Sequence, residues 1–295
     1  MSQMLSQARH LVHQREMLVA LGGAAADAVR HRFGHARTAA FSTPGPEISL
    51  RVPAPSPALI EDFLRTVAGD VAADPGQVPP MLFPQWGLPA ALRALRGSGF
   101  PVAKIINGGC RLEVNAPLRR GRELTVRARL ASTHGDERRS VLCQRIVTAQ
   151  DGVDALVAEV HGIIRGAIKH KAGANAQAHD TVPASARLVE EWSLPRNAGL
   201  SFALLTGDVN PLHWLAPYAR LMGFRGTILH GFAAMARTYV GLERACAPRR
   251  LRLLDVRFVR PLLLPAQVSL YVEGDRVFVG TREGALYLTG SFACA

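Results

Sequence analysis

Apolar and polar residues alternate strictly from Glu123 to Leu130, a period of two that puts every second side chain on one face of an extended strand. Comparable strand-like series cover Arg111 to Leu118, Ser140 to Ala149 and Ala155 to Arg165, with turn residues between them. A second set covers Leu253 to Val259, Gln267 to Glu273, Arg276 to Thr281 and Ala285 to Ala293. An apolar helical pattern precedes each set: Leu88 to Leu95 before the first, Gly231 to Val240 before the second.

The two sets are copies of one plan. Thr66-Val67-Ala68-Gly69-Asp70-Val71 matches Leu205-Thr206-Gly207-Asp208-Val209, and Pro261 repeats Pro117. A helix followed by four antiparallel strands, twice over, predicts an α+β protein of two modules whose sheets each wrap a helix. The organisation follows: a helical, Ala-rich extension over residues 1–45, closed by Ser42-Thr43-Pro44-Gly45-Pro46; a first module over 46–169; a small, polar, aperiodic linker over 170–186; and a second module over 187–295.

Composition narrows the class. With 48% hydrophobic and 20% charged residues the chain reads as a water-soluble globular protein, and no apolar run approaches the roughly 20 residues that cross a bilayer. The expected compartment is cytoplasmic; the acid-poor first 15 residues would suit a mitochondrial transit peptide, and so the matrix. Cys110, Cys143, Cys246 and Cys294 show no CxxC spacing, so neither a zinc ribbon nor a disulfide framework is expected. The formal net charge of +12 attracts polyanions, but the basic residues are dispersed and only 6% of the chain is aromatic, which argues against nucleic acid. Arg119, Arg120 and Arg122, and Arg249, Arg250 and Arg252, form turn clusters that could meet a phosphate or simply be solvated.

Chemistry concentrates in the second module. Asp208 and His213 are separated by Val209-Asn210-Pro211-Leu212, a spacing that a turn at Pro211 folds back on itself, and a carboxylate beside an imidazole can give and take protons near neutrality. Downstream, Gly226-Thr227-Ile228-Leu229-His230-Gly231-Phe232 passes from an apolar run into a helix start. Free N–H groups gather there, and Gly231 permits close backbone approach. His230 reads as a hydrogen-bonding structural residue rather than a third catalyst. Asp208, His213 and His230 lack any familiar metal-ligand spacing, and no metal or other cofactor is expected.

The segment Asp208-Val209-Asn210-Pro211-Leu212-His213, followed by Ile228-Leu229-His230-Gly231, resembles the MaoC-like, R-specific enoyl-CoA hydratase (hydratase 2) family. The resemblance implies a hot-dog fold, doubled here as in double-hot-dog 3-hydroxyacyl-thioester dehydratases. It implies that Asp208 and His213 form a dyad that adds water to a trans-2-enoyl thioester, or removes it from an (R)-3-hydroxyacyl thioester, of coenzyme A or an acyl carrier protein. Asn210 would orient the dyad or its water, the Gly231 N–H would hold the thioester carbonyl, and His230 and Phe232 would border the substrate. In the first module Asp70 keeps its place but Pro75 stands five residues later and no His-Gly precedes the helix. That module is expected to have lost its chemistry and kept a tunnel for the acyl chain.

Two other readings compete: thioester hydrolysis on the same fold, and a non-catalytic acyl-carrier binding module. Hot-dog thioesterases resemble this chain less, because they place an acid on the long helix where Ala233, Ala234 and Met235 stand. A duplicated chain can imitate a dimer within one polypeptide, so a monomeric pseudo-dimer and a homodimer are both compatible with the sequence.

Overall fold

A computed structural model describes residues 7–32, 43–69, 76–102, 105–135, 139–165, 181–282 and 284–295. Asp70 and Pro75, which carry the comparison between the two motif copies, lie outside the described residues, as does most of the expected linker.

A 3-10 segment, Arg9–Gln14, runs directly into helix α1 (Arg15–Arg32). Strand β1 (Ile48–Val52) leads to α2 (Pro57–Ala68), which starts where Ser56 accepts the Leu59 N–H and Pro57 fixes the first helical φ. Next come β2 (Gln77–Val78), α3 (Pro84–Ala94), β3 (Ile106–Val114), β4 (Leu118–Arg119), β5 (Leu124–Gly135), β6 (Arg139–Gln150) and β7 (Val153–Arg165). The second module runs β8 (Arg187–Leu194), α4 (Ala198–Thr206), α5 (Ala216–Leu221), α6 (Gly231–Cys246), β9 (Leu251–Phe258), β10 (Ala266–Glu273), β11 (Arg276–Gly280) and β12 (Leu286–Cys294).

The strands predicted from alternation are present, except that the one expected over Arg111 to Leu118 runs earlier, from Ile106 to Val114. They join into one antiparallel sheet of ten strands, in the order β1-β5-β6-β7-β3-β9-β12-β11-β10-β8. Read inward from either edge, the order is the same in both modules, with β8 standing for β1, β10 for β5, β11 for β6, β12 for β7 and β9 for β3. The modules meet where β3 pairs with β9, Cys110 opposite Val256 and Leu112 opposite Leu254. The outer strands β1 and β8 were not anticipated; each lies before its module's helices in sequence and carries too short an alternation to stand out.

Each sheet half turns an apolar face toward helices. Leu112, Val126, Ile146, Leu254, Leu270, Val277 and Val279 are buried there against residues of α3 and α6 such as Trp86, Ala90, Phe232 and Met235. Truncating one such leucine to alanine removes roughly 2–5 kcal/mol. The opposite face is charged: Arg145 of β6, Glu159 of β7, Arg111 of β3 and Asp255 of β9 stand in register across the junction, with Arg145 and Glu159 at 2.8 Å and Arg111 and Asp255 at 3.6 Å. Alternating signs across four strands make cross-strand neighbours attractive and keep this face in water.

One expectation is overturned. The cysteine spacing suggests no disulfide, yet the fold brings Cys246, at the end of α6, to Cys294, at the end of β12, and the two are bonded. Their separation of 48 residues carries no recognisable signature in sequence. Cys110 and Cys143 are free thiols, Cys110 fully buried. No helix among the described residues is long and apolar enough to cross a membrane.

Candidate active site

Helix α4 carries the site. At its C-terminal end Gly207 adopts φ +78° and donates its N–H to the Ala203 carbonyl at 2.8 Å, which turns the chain so that Asp208 leaves the helix end. Gly69, at the end of α2 in the first module, also has a positive φ (+70°), but its ψ of −143° against 1° at Gly207 sends the chain out of the helix in a different direction.

After Asp208 the chain makes a single 3-10 turn, Pro211–His213, that needs a proline and an asparagine to form. Pro211 fixes the first φ, and the Asn210 side-chain oxygen accepts the Leu212 N–H at 3.1 Å. The Asn210 backbone N–H donates to the Asp208 carboxylate. Asn210 thus shapes the turn and holds Asp208, while its own residue surface is exposed. Trp214 closes the turn by donating its indole N–H to the Val209 carbonyl at 3.1 Å.

The partner segment is fixed separately. Leu229 N–H donates to Leu262, Leu264 N–H donates to Thr227, and Ile228 bridges to Leu263, so Thr227–Leu229 lies as a short strand beside residues 262–264. Its Ile228 carbonyl receives the Nδ1–H of His213 at 2.9 Å. Because a carbonyl only accepts, this bond assigns the proton to Nδ1 and leaves the Nε2 lone pair of His213 free.

His230, 1% exposed, is fixed the same way: its Nε2–H donates to the Asp208 backbone carbonyl at 3.0 Å. Its ring stacks on that of His213, with centroids 3.5 Å apart and planes 24° from parallel, and the Phe202 ring lies 5.1 Å away on α4. A carboxylate oxygen of Asp208 and one ring nitrogen each of His213 and His230 lie within 4.8 Å of one another. Among the described residues these three are the group that could reach a metal ion.

Burial sets the electrostatics. Desolvation raises the Asp208 carboxyl above its ordinary pKa, against the pull of His213 and of the Asn210 N–H. Desolvation lowers His213, against the Asp208 charge and the Ile228 carbonyl. His230 is pushed well below the ordinary histidine value by burial and then by His213, so it stays neutral. The two shifts bring the proton affinities of Asp208 and His213 toward each other, the condition in which a proton moves between them at little energetic expense.

Helix α6 begins at Gly231, and its first N–H groups have no carbonyl a turn earlier to bond. A Cβ on Gly231 would come within 2.6 Å of the Phe258 ring, so any other residue there has to displace that ring. Phe232, 5% exposed, sits edge-on to Phe83 of the first module and to Phe258 of β9. Outside this cluster, Arg122 pairs with Asp151, Arg250 with Glu243, and Arg252 donates to the Val114 and Asn115 carbonyls in an open groove of about 390 Å³ that it shares with Arg111 and Glu113.

Residues 170–285 match the family model of the MaoC-like domain. This part of the chain is similar to MaoC-like domains. A 75-residue stretch is 43% identical to 3-hydroxyacyl-thioester dehydratase X of Mycobacterium tuberculosis, covering 25% of this chain and about a quarter (26%) of that relative's length. The crystal structure of HtdX of Mycobacterium tuberculosis superposes with a TM-score of 0.69 at 20% identity, over 85% of this chain and 100% of that one. A further Mycobacterium tuberculosis protein, described as having a double hotdog fold, superposes with a TM-score of 0.55 at 11% identity, over 86% and 97% of the two chains. The α+β architecture of this chain is therefore a double hot dog, with the helical segment Arg9–Arg32 in front of it.

Two residues that hold this site were invisible in the sequence. Gly199 of α4 lies against the His213 carbonyl, and Gln14 reaches the end of α4 from about 190 positions away. Neither belongs to a motif, and only the folded contact identifies them.

Proposed function

We propose that the chain is a hydro-lyase that interconverts trans-2-enoyl and (R)-3-hydroxyacyl thioesters, with Asp208 and His213 as the proton-transferring pair. One observation carries the reading: the His213 Nδ1–H is tied to the Ile228 carbonyl, which leaves Nε2 unprotonated, and the His213 ring shares with the Asp208 carboxylate a half-buried cluster whose polar atoms lie within 4.8 Å. In hydration the pair takes a proton from water as the oxygen adds to Cβ of the enoyl group. The proton added at Cα comes from the same pair, and dehydration is the reverse. The Gly231 N–H, at the positive end of α6, would stabilise negative charge on the thioester carbonyl; a donor in that role is typically worth ~2.7–4 kcal/mol. His230 would keep Asp208 in place through the backbone and support the His213 ring by stacking.

The similarity to 3-hydroxyacyl-thioester dehydratase X supports this choice of chemistry. Thioester hydrolysis is less well supported: α6 has no acidic residue in its first turn, where Ala233, Ala234 and Met235 are buried. The test is turnover of crotonyl-CoA and longer enoyl-CoAs, followed at the enoyl-thioester absorbance. Asp208→Asn and His213→Ala are expected to lower kcat by at least about 10²-fold, the usual worth of a general acid or base. Equal rates in parent and variants exclude the dyad, and release of free thiol in place of hydration favours the hydrolase.

A further inference from the structure

The last turn of an α-helix leaves carbonyl groups that no helical N–H reaches. In α4, Gly207 takes the Ala203 carbonyl. The next two are taken from outside the module: Gln14 donates from Nε2 to Leu205 at 3.0 Å and, at longer range, to Leu204 at 3.5 Å. Gln14 is 2% exposed. Its side-chain oxygen lies where the chain turns out of the helix, so a Cβ on Gly207 would be 2.6 Å from Gln14 Oε1 and 3.2 Å from Met17 Cβ. Asp208 is the next residue.

The segment that carries Gln14 is anchored at its other end to the first module. His10 Nε2 and Asp62 Oδ2 of α2 are 2.8 Å apart and buried, Arg9 reaches the same oxygen at 3.1 Å, and Gln7 donates to the Thr66 hydroxyl at 3.0 Å. A stretch of eight residues thus spans from α2 of one module to the end of α4 in the other. The last carbonyls of α2 are capped differently, Thr66 by Arg237 and Ala68 by Arg244, both from α6.

We propose that Gln14 is a positioning residue for the reaction, its amide fixing the exit of the chain from α4 so that Asp208 meets His213. The proposal rests on the hydro-lyase reading above. Gln14 acts through Leu205 and Gly207 and not on the substrate, so its removal changes the catalytic step more than substrate capture. Helix α4 already holds the His213 turn through Gly199; with Gln14 in place, one rigid helix sets both members of the pair. Displacement of a catalytic group by about 1 Å typically lowers rate 10²-fold.

The experiment compares the parent chain, Gln14→Met, which keeps the length and loses the amide, and Val126→Ala, a core variant of the first module with a comparable loss of melting temperature. Gln14→Met is expected to lower kcat about 10- to 100-fold with KM within about twofold. The acidic limb of its pH profile is expected to move to lower pH, because a loosened Asp208 is better hydrated. Val126→Ala is expected to leave kcat and the profile where they are. Should Gln14→Met fail to fold, Gln14→Asn, one methylene too short to reach Leu205, carries the same expectation. A parent chain that turns over enoyl thioesters and a Gln14 variant that matches it, or that falls only as far as Val126→Ala, overturns the proposal alone. A parent chain without turnover overturns the hydro-lyase reading and this proposal together.

Discussion

Gly199 and His213 touch through their backbones: a Cβ on Gly199 would stand 2.0 Å from the His213 carbonyl oxygen. No flexible side chain can yield there, because the obstacle is main chain on both sides. Gly199→Ala therefore has to push the Pro211–His213 turn away from α4 and draw His213 off Ile228. We expect kcat to fall by about 10²-fold, as for other displacements of roughly 1 Å, together with a measurable drop in melting temperature. Normal activity in soluble Gly199→Ala would mean that the turn is held elsewhere.

The raised Asp208 pKa makes this residue a burden on stability. The native state binds its proton more tightly than the unfolded chain does, so ionised Asp208 destabilises the fold above its native pKa, and the penalty disappears below the unfolded value of about 3.9. Asp208→Asn is thus expected to melt above the parent at pH 8, with the gap closing as pH falls toward 4. His213 and His230 are lowered, so kcat/KM should show no limb near pH 6.5, where ordinary histidines titrate. A lower melting temperature for Asp208→Asn at pH 8, or a limb at 6.5, contradicts the electrostatics described above.

Asp62 has the opposite sign. Burial disfavours its charge, but the His10 hydrogen bond and then Arg9 outweigh burial and hold its pKa below the ordinary value. Its contribution to stability is full above about pH 4 and is lost as pH falls through the lower native pKa. Protease cleavage within the Arg9–Gln14 segment should accelerate on that acidic side. Asp62→Asn should release the segment already at pH 7, losing about 1.5–3 kcal/mol of charge-assisted hydrogen bonding. Equal protection of parent and variant at pH 7 would show that Asp62 does not hold the segment.

Much of this was legible from the chain alone, and the reasons differ by element. The central strands announce themselves by period two, and the copy of Gly69-Asp70 in Gly207-Asp208 announces the duplication. The Asp208 to His213 spacing is local, so a single turn suffices to read it. What stayed hidden is what depends on distant partners. Strand β1 and strand β8 are edges whose pairing with β5 and β10 fixes them, Cys246 meets Cys294 only after β12 is laid down, and the glutamine at position 14 looks like any other helical polar residue. Gly231 illustrates a subtler gap: its sequence context suggests close approach of a ligand, while the fold shows that the Phe258 ring already fills the space a side chain would need.

The pairing of β3 with β9 gives the first module a task independent of any chemistry. Ile106–Val114 presents a row of backbone donors and acceptors that continues the sheet of the other module, and without it β9 would be an open, adhesive edge of hydrophobic strand. The first module thus serves the second as the neighbour that closes its sheet.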